Sequence, residues 1–484
     1  MRVRTLLSAA VLIVFAQSIA TAQSDGTTPL HWAVHNNDVN AVDRLIKSGA
    51  GVNAKNDYGA TPMSEAAAAG SEVIIERLLK AGADPNVPHA DGQTALMVIA
   101  RGTNVKAAKL LIDHRANVNA AEQQKKQTAL MWAAAQGQAE MVKLLIASGA
   151  DVNARALVNV TASAMYAPTN ATPLDWPSNV STEPRAGYRA AGGFTPLLYA
   201  AREGCMLCAK YLIDGGANID MHDPEGITPL IMAVHNMRFD TAAYLIKAGA
   251  DVNKWDWWGR SPLYLAADVN TIPRGGRPDQ PSLDETTSMQ IIEMLLDAGA
   301  NPNLQLKLLP PYRNVGADRG VDGMLTIGAT PLLRAAKALD APAIALMLKK
   351  GALPNLPNIR GTTPVMAAAG LGSVDADTRG VFTTEDTPQR SIASLKLLLD
   401  AGGDINLKDN IRGSTPLHGA AFWGWNDTVK FLVERGADLN AKDNRGMTPI
   451  DSALGKAGGN SRGGQRIDVH EDTADLLRKL TAAQ

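Results

Sequence analysis

Cysteine and the patterns of metal and catalytic sites are scarce in this sequence, and each absence excludes a class of protein. Only two cysteines, Cys205 and Cys208, occur in 484 residues, so the fold does not depend on a disulfide framework. The eight histidines have no metal-ligand spacing, and the chain has no G-x-S-x-G, no phosphate-binding glycine loop and no H-E-x-x-H. The sequence therefore predicts a protein that is not an enzyme and that has no cofactor and no bound metal.

An excess of charge of one sign is also lacking. The chain carries 47 basic and 48 acidic residues, and it contains no basic run. Proteins that bind nucleic acid or a membrane surface usually have a basic excess or a basic run. We therefore expect neither kind of partner.

One apolar run stands near the N-terminus. It covers residues 6–19, follows Arg2 and Arg4, and precedes the small residues 20–22. This order is typical of a secretory signal that is cleaved after Ala22. The run is shorter than the roughly 20 residues that a membrane-spanning helix needs. We expect residues 1–22 to be a signal peptide, and the mature protein to be exported, periplasmic or secreted, without stable membrane insertion.

A short motif that begins with Thr or Ser returns along the chain at a fixed distance. Six of the intervals between successive copies are 33 residues long, which is typical of a stacked repeat array. The eleven copies are TPLHWA at Thr28, TPMSEA at Thr61, TALMVI at Thr94, TALMWA at Thr128, TPLLYA at Thr195, TPLIMA at Thr228, SPLYLA at Ser261, TPLLRA at Thr330, TPVMAA at Thr363, TPLHGA at Thr415 and TPIDSA at Thr448.

The copy that starts at Thr415 shows how one unit is expected to fold. Thr415 predicts a helix cap, and Pro416 occupies the first helical position, where its missing N–H costs nothing. Gly424 ends this short helix, and Gly436 ends a second apolar helix that follows it. Residues 443–446 have the composition of a tight turn. The predicted unit is helix, turn, helix, hairpin.

The TPLH-like starts, together with helix ends such as residues 149–153 and 249–253, resemble the ankyrin-repeat family. The resemblance covers most of the chain, from about residue 28 to 480. It implies an all-α repeat solenoid of about eleven stacked ankyrin repeats, each a helix-turn-helix plus hairpin, with long loop insertions. It also implies that His31 and His418 bond the loops of neighbouring units, and that the chain is a scaffold for a protein partner.

Insertions interrupt the repeat wherever an interval exceeds 33 residues. We predict repeats 1–4 at residues 28–154, a hairpin insertion at residues 155–193 and repeats 5–11 at residues 194–480. Loops of this length in a compact array are usually functional or disordered. Further insertions are predicted near residues 268–285, 304–328, 371–389 and 455–468.

The two cysteines open the second helix of the fifth repeat. A thiol at a helix N-terminus has a lowered pKa, and C-x-x-C spacing permits a reactive disulfide. The repeat register also gives Cys208 an inward position, where a small buried side chain fits. Because no thioredoxin-like pattern surrounds the pair, the sequence leaves open a static disulfide, two packing thiols or a redox site formed by Cys205 and Cys208.

Two groups of aromatic residues stand where other copies have polar residues. The groups are Trp255, Trp257 and Trp258 in one hairpin, and Phe422, Trp423 and Trp425 at the end of one first helix. Exposed aromatic groups typically mark a contact surface, so we predict partner binding at both, with packing against the nearby insertions as the alternative. Trp32 and Trp132 hold a core position instead and are expected to be buried.

The leading hypothesis from the sequence is a non-enzymatic, exported scaffold that binds another protein through its concave groove, its hairpin tips and its insertions. Two alternatives belong to other classes of function. One is a thiol-disulfide redox factor that uses Cys205 and Cys208, and the other is a binder of cell-envelope glycans through the exposed tryptophans. The repeat fold alone does not name the partner.

Overall fold

The computed structural model describes residues 25–162, 188–270, 284–308, 324–372, 386–456 and 469–483. By its internal contacts the chain divides into two compact units. The first unit is Met1–Asn159 with Ala191–Asp223, and the second is Val160–Ala190 with Pro224–Gln484. The predicted signal peptide and the central parts of the predicted insertions lie outside the described residues.

In its described residues the first unit contains five pairs of helices, each pair a short first helix and a second helix. The pairs are α1 (Pro29–His35) and α2 (Val39–Lys47), α3 (Pro62–Ala68) and α4 (Glu72–Lys80), α5 (Ala95–Ala100) and α6 (Val105–Asp113), α7 (Ala129–Ala135) and α8 (Ala139–Ala147), and α9 (Pro196–Glu203) and α10 (Met206–Asp214). Despite the insertion between them, the fourth and fifth pairs pack together, with α9 on α7 and α10 on α8.

Two short strands that the sequence did not predict flank residues 163–187. They are β1 (Val158–Ala162) and β2 (Tyr188–Gly192), which pair with each other in a two-stranded sheet.

The second unit contains six pairs of helices in its described residues. The pairs are α11 (Pro229–His235) and α12 (Phe239–Lys247), α13 (Pro262–Asn270) and α14 (Ser288–Asp297), α15 (Pro331–Lys337) and α16 (Ala341–Lys349), α17 (Pro364–Ala368) and α18 (Thr387–Asp400), α19 (Pro416–Phe422) and α20 (Asn426–Glu434), and α21 (Pro449–Ala453) and α22 (Glu471–Ala482). Helix α13 runs two residues past Asp268, and α18 begins before residue 389, so both helices extend into stretches that the sequence assigned to insertions.

Each of the eleven start motifs precedes a helix, because its cap is a local interaction. Thr330 is typical: its hydroxyl accepts the N–H of Leu333 at 3.1 Å, which satisfies one of the free donors of the first turn. The helix ends follow the same local logic. Gly436 has a φ of +95°, and Arg115, where the repeat lacks its glycine, takes the same left-handed region with a φ of +70°.

The core lies between the two helices of each repeat, and between these helices and those of the adjoining repeats in the same compact unit. In the tenth repeat, helical spacing predicts that six apolar residues face inward, namely Leu417, Ala420, Ala421, Val429, Leu432 and Val433. The first five are fully buried, whereas Val433 is only half-buried. Within each of the two compact units, neighbouring repeats pack first helix on first helix and second helix on second helix, as α15 does on α17 and α16 on α18. The prediction of an all-α repeat solenoid is therefore confirmed.

An asparagine after most of the second helices joins one repeat to the next. Asn303 donates from Nδ2 to Gly351 O at 3.0 Å, and its Oδ1 accepts the N–H of Leu353 at 2.9 Å. These side chains are therefore bonded within the fold rather than held for a ligand. The same two bonds recur at Asn53, Asn86, Asn119, Asn153, Asn253, Asn355 and Asn406.

Candidate functional site

The hairpin tip at residues 254–260, in the second unit, is built around the buried carboxylate of Asp256. Its Oδ1 accepts the N–H groups of Trp258 at 3.1 Å and Arg260 at 2.9 Å, and its Oδ2 lies 2.6 Å from Arg260 Nε. Burial raises the pKa of Asp256, and the Arg260 guanidinium opposes that shift. Gly259, with a φ of +83°, completes a sharp turn that does not depend on the neighbouring tryptophans.

Two of the three tryptophans in this tip are exposed and the third is buried. Trp255 and Trp257 keep 47% and 48% of their surface exposed. Trp258 keeps only 4%, so the expectation that it is exposed is wrong. The Arg260 guanidinium lies 4.6 Å from the centroid of the Trp258 ring. The backbone carbonyl of Trp258 accepts the N–H of Lys307 at 2.8 Å. Trp258 is thus part of the packing between this tip and the next.

A groove of about 340 Å³ lies beside the exposed Trp255. Leu304 and Ile327 contribute apolar lining, and Gln305 and Lys307 contribute polar atoms. The Lys307 ammonium lies 5.0 Å from the centroid of the Trp255 ring, within the range of a cation–π contact. The groove therefore has an aromatic ring and a positive charge on one side.

The second aromatic group, Phe422, Trp423 and Trp425, is half-buried rather than exposed. The rings of Trp423 and Trp425 stack with centroids 6.2 Å apart, and Trp423 Nε1 donates to Gly370 O at 2.8 Å. Gly370 has a φ of +82°, and a Cβ there would lie 2.8 Å from both rings. This group therefore packs on the turn after α17, and its geometry favours packing over binding.

The other two expectations for tryptophan have different outcomes. Trp132 is 6% exposed, as expected, with the Arg101 guanidinium 3.6 Å from its ring centroid. Trp32 is 49% exposed, so the expectation that it is buried is wrong. Arg101 belongs to the turn that ends the first helix of the preceding repeat, whereas in the described part of the chain no helix precedes α1. The side chain that covers a tryptophan at this position therefore comes from the preceding repeat and not from the tryptophan's own repeat.

Cys205 and Cys208 are joined by a disulfide in the structure. Cys208 is fully buried, as its inward position predicts. Cys205 caps α10, where its Sγ accepts the N–H of Cys208 at 3.1 Å. Redox activity of the pair stays a prediction from the sequence.

The histidines of the TPLH motifs bond the loops of neighbouring repeats, as the resemblance implied. His31 Nε2 lies 3.0 Å from Ala60 O, and His418 Nε2 lies 3.2 Å from Met447 O. His418 Nδ1 accepts the N–H of Thr415 at 3.1 Å, so the neutral imidazole fits this site. Burial lowers the pKa of His418 below its ordinary value of 6.5.

This lowered pKa predicts a loss of stability in acid. Because the unfolded chain takes up the proton before the folded chain does, the contribution of His418 is present above pH 6.5 and is lost as the pH falls below that value. We expect the urea concentration at the midpoint of unfolding to decrease as the pH falls below 6.5. In the His418→Gln variant this midpoint should decrease less over the same pH range. Gln290 already accepts the N–H of Thr287 at 2.8 Å in the same arrangement, so the variant keeps the cap. An equal pH dependence in both proteins would contradict this role.

A buried polar cluster in the second unit escaped the sequence reasoning. Arg334 is 0% exposed, and its Nε lies 2.7 Å from Asp268 Oδ1. Nearby, Asn270 Nδ2 donates to Asp340 Oδ2 at 2.6 Å. Arg334 stands at the repeat position of Trp132, which is apolar in most other copies. An arginine at this core position was the sequence signal for the cluster, because a buried cation requires an anion from a neighbouring repeat.

The described residues contain neither a cluster of metal-binding side chains nor a helix that could span a membrane. No group of three or more His, Cys, Asp or Glu side chains is arranged to hold a metal ion in that part of the chain. Among the same residues, no helix is both long enough and apolar enough to cross a membrane.

No curated protein matches the chain at a significant level. Among solved structures, the ankyrin repeat domain of Bcl-3, described as a unique member of the IkappaB protein family, is similar at 22% sequence identity with a TM-score of 0.41. That match covers 56% of this chain and 99% of the other.

A family profile described as ankyrin repeats in three copies matches five stretches that together span more than half of the chain. The stretches are residues 5–89, 65–156, 181–256, 197–306 and 389–463. With the stacked helix pairs and the recurring TPLH-like caps, this match shows that the chain belongs to the ankyrin-repeat family.

Proposed function

We propose that the chain is an exported, non-enzymatic scaffold that binds another protein, and that the tip at residues 254–260 with its groove is a contact surface. Membership of the ankyrin-repeat family supports the class of function, because arrays of this kind present extended binding surfaces. The observation that carries the site is the exposure of Trp255 and Trp257 at 47% and 48% in one tip. Tryptophan is among the residues that dominate the binding energy of protein interfaces.

The fold does not require these two side chains. Two other tips have Asp57 or Asn444 at the position of Trp257, and the same two have Lys55 or Lys442 at the position of Trp255. Asp256 and Gly259 hold the turn, as described above. Two exposed tryptophans therefore add apolar surface that the turn does not need, which is typical of side chains that contact a partner.

The test is affinity capture from the native cell envelope with the mature chain and with a Trp255→Ser, Trp257→Ser variant. The matched control is Trp32→Ser, which removes a tryptophan of similar exposure, 49%, from the first unit. We expect the same protein to be retained by the wild type and the control, and at least about tenfold less of it by the double variant. Circular dichroism checks that all three chains are folded.

Each outcome of the capture decides a different point. Equal retention by all three chains would remove the tip from the contact surface but keep the scaffold. Equal loss in the control and the double variant would show that any exposed tryptophan matters. Retention of no protein by the wild type would contradict the scaffold itself.

Export is a separate part of the proposal, supported by the charge and apolar pattern of residues 1–22. N-terminal sequencing of the protein purified from its native host is expected to give Gln23 as the first residue. A chain that begins at Met1 would contradict cleavage.

A further inference from the structure

Three consecutive hairpin tips of the second unit form a row, which we call the basic tip row: residues 357–361, 408–413 and 442–446. The backbone joins them, because the N–H of Asn410 donates to Arg360 O at 2.8 Å and the N–H of Asn444 donates to Arg412 O at 2.7 Å. Such bonds place each tip beside the next at the spacing of neighbouring strands. A ligand that crosses one tip therefore meets the other two.

The row carries positive charge at its surface. Each of the three tips has one more basic than acidic residue. Lys408, Arg412 and Lys442 are exposed and have no ion-pair partner among the described residues. Lys408 Nζ donates to Lys442 O at 2.8 Å, which holds its ammonium against the neighbouring tip. Like charges held together in this way favour an anionic ligand.

The two acidic residues of the row face inward and are occupied by the backbone. Asp409 is 9% exposed and accepts the N–H groups of Ile411 and Arg412, each at 2.8 Å. Asp443 is 6% exposed and accepts the N–H of Arg445 at 2.8 Å. Asp409 serves its turn, whereas Asp443 also pairs with the Arg445 guanidinium at 3.1 Å. The outward positive charge of the row therefore comes from Lys408, Arg412 and Lys442.

Exposed aliphatic side chains stand between the cations. Ile359 precedes Arg360 and is 39% exposed, and Ile411 precedes Arg412 and is 42% exposed. The same four residues, Asn-Ile-Arg-Gly, thus appear in two adjoining tips. The isoleucines lie beside the exposed Lys408, Arg412 and Lys442, so the row fits a ligand that carries both apolar and anionic groups.

We propose that the basic tip row binds an extended, acidic peptide segment of a partner protein, with aliphatic side chains between its carboxylates. The proposal rests on the proposed scaffold function and adds the chemistry of the bound segment. A nucleic acid fits less well, because the three tips contain no aromatic residue on which bases would stack. The isoleucines would also remain without an apolar partner on a phosphate backbone.

The test measures binding of fluorescent probes to the full mature chain by anisotropy. The probe is a peptide of about twelve residues in which glutamate and leucine alternate with serine. A second peptide has glutamine in place of glutamate, and a third probe is a single-stranded oligothymidylate. The chains are wild type, Arg412→Gln with Lys442→Gln, and the control Lys396→Gln with Lys430→Gln. The control changes the net charge equally but on the second helices α18 and α20.

We expect the glutamate peptide to bind the wild type and the control equally, and the tip variant at least about tenfold more weakly. Its affinity should fall with rising salt, and the glutamine peptide should bind at least about tenfold more weakly. Equal affinity of both double variants for the glutamate peptide, or of the wild type for both peptides, would overturn the proposal. So would an oligothymidylate affinity that matches or exceeds that of the glutamate peptide.

The variants also separate this proposal from the scaffold on which it rests. Arg412→Gln with Lys442→Gln leaves Trp255 and Trp257 in place. If that variant still captures the partner of the wild type in full, the scaffold function stands and the basic tip row is overturned. If the wild type captures no protein, the scaffold function fails, whatever the peptide does.

Discussion

Replacing Asp268 with alanine is expected to lower the free energy of unfolding by about 3–5 kcal/mol. Arg334 is 0% exposed, and it bonds both the carboxylate of Asp268 at 2.7 Å and the carbonyl of the same residue at 3.2 Å. Alanine removes the carboxylate and leaves the guanidinium buried without that counter-charge, which is more costly than the loss of an exposed pair. Urea unfolding of the mature chain, followed by circular dichroism, measures the change.

Two controls show whether the loss of stability in Asp268→Ala comes from a buried charge left without its partner. Asp400→Ala removes the partner of Arg435, in a pair whose side chains are 53% and 34% exposed, and should cost no more than about 1 kcal/mol. Asp268→Ala combined with Arg334→Met removes both charges and should recover much of the loss, because no buried ion is then uncompensated. If Asp268→Ala and Asp400→Ala have equal effects, the buried pair does not stabilise the fold.

The ion pair of Asp268 and Arg334 joins two consecutive repeats at an insertion. Asp268 lies in the last turns of α13, directly before residues 271–283, and Arg334 lies in α15 of the next repeat. Ser288 of α14 donates to Asn270 Oδ1, and Asn270 donates to Asp340. The end of α13 is therefore bonded to its own second helix and to the following repeat. This network holds the helix at the point where the regular 33-residue period is interrupted.

The repeat architecture was predictable because its signals are local. A threonine cap, a proline at the first helical position and a glycine after the second helix each act within a few residues. For the same reason Leu417 and Val429 were correctly assigned to the core, since helical spacing alone decides which side they face. Repetition then fixes the packing, because identical faces meet when the units stack.

The exposure of single tryptophans was not predictable, because it depends on which side chains and which neighbouring repeat cover each ring. Trp258 is buried by Arg260 and by the chain near Lys307, and Trp132 by Arg101. A repeat position alone therefore does not decide burial, as the exposure of Trp32 also shows. The side chains that we propose to bind a partner occupy positions that the repeat leaves free, so its signature does not specify them.

Replacing Trp423 with alanine is expected to lower the free energy of unfolding by about 2–4 kcal/mol, whereas Trp257→Ala should change it by no more than about 0.5 kcal/mol. The difference follows from the contacts of the two rings. Trp423 stacks on Trp425 and donates to Gly370 O at 2.8 Å, while Trp257 is 48% exposed. Urea unfolding of both variants tests it.

A third variant identifies which contact of Trp423 matters. Trp423→Phe keeps an aromatic ring against Trp425 but removes the indole donor, so it should cost about 1 kcal/mol, the worth of one hydrogen bond. If Trp423→Ala were as neutral as Trp257→Ala, the second aromatic group would not stabilise the turn after α17. Its three rings would then belong with Trp255 and Trp257, as side chains whose exposure serves a partner rather than the fold.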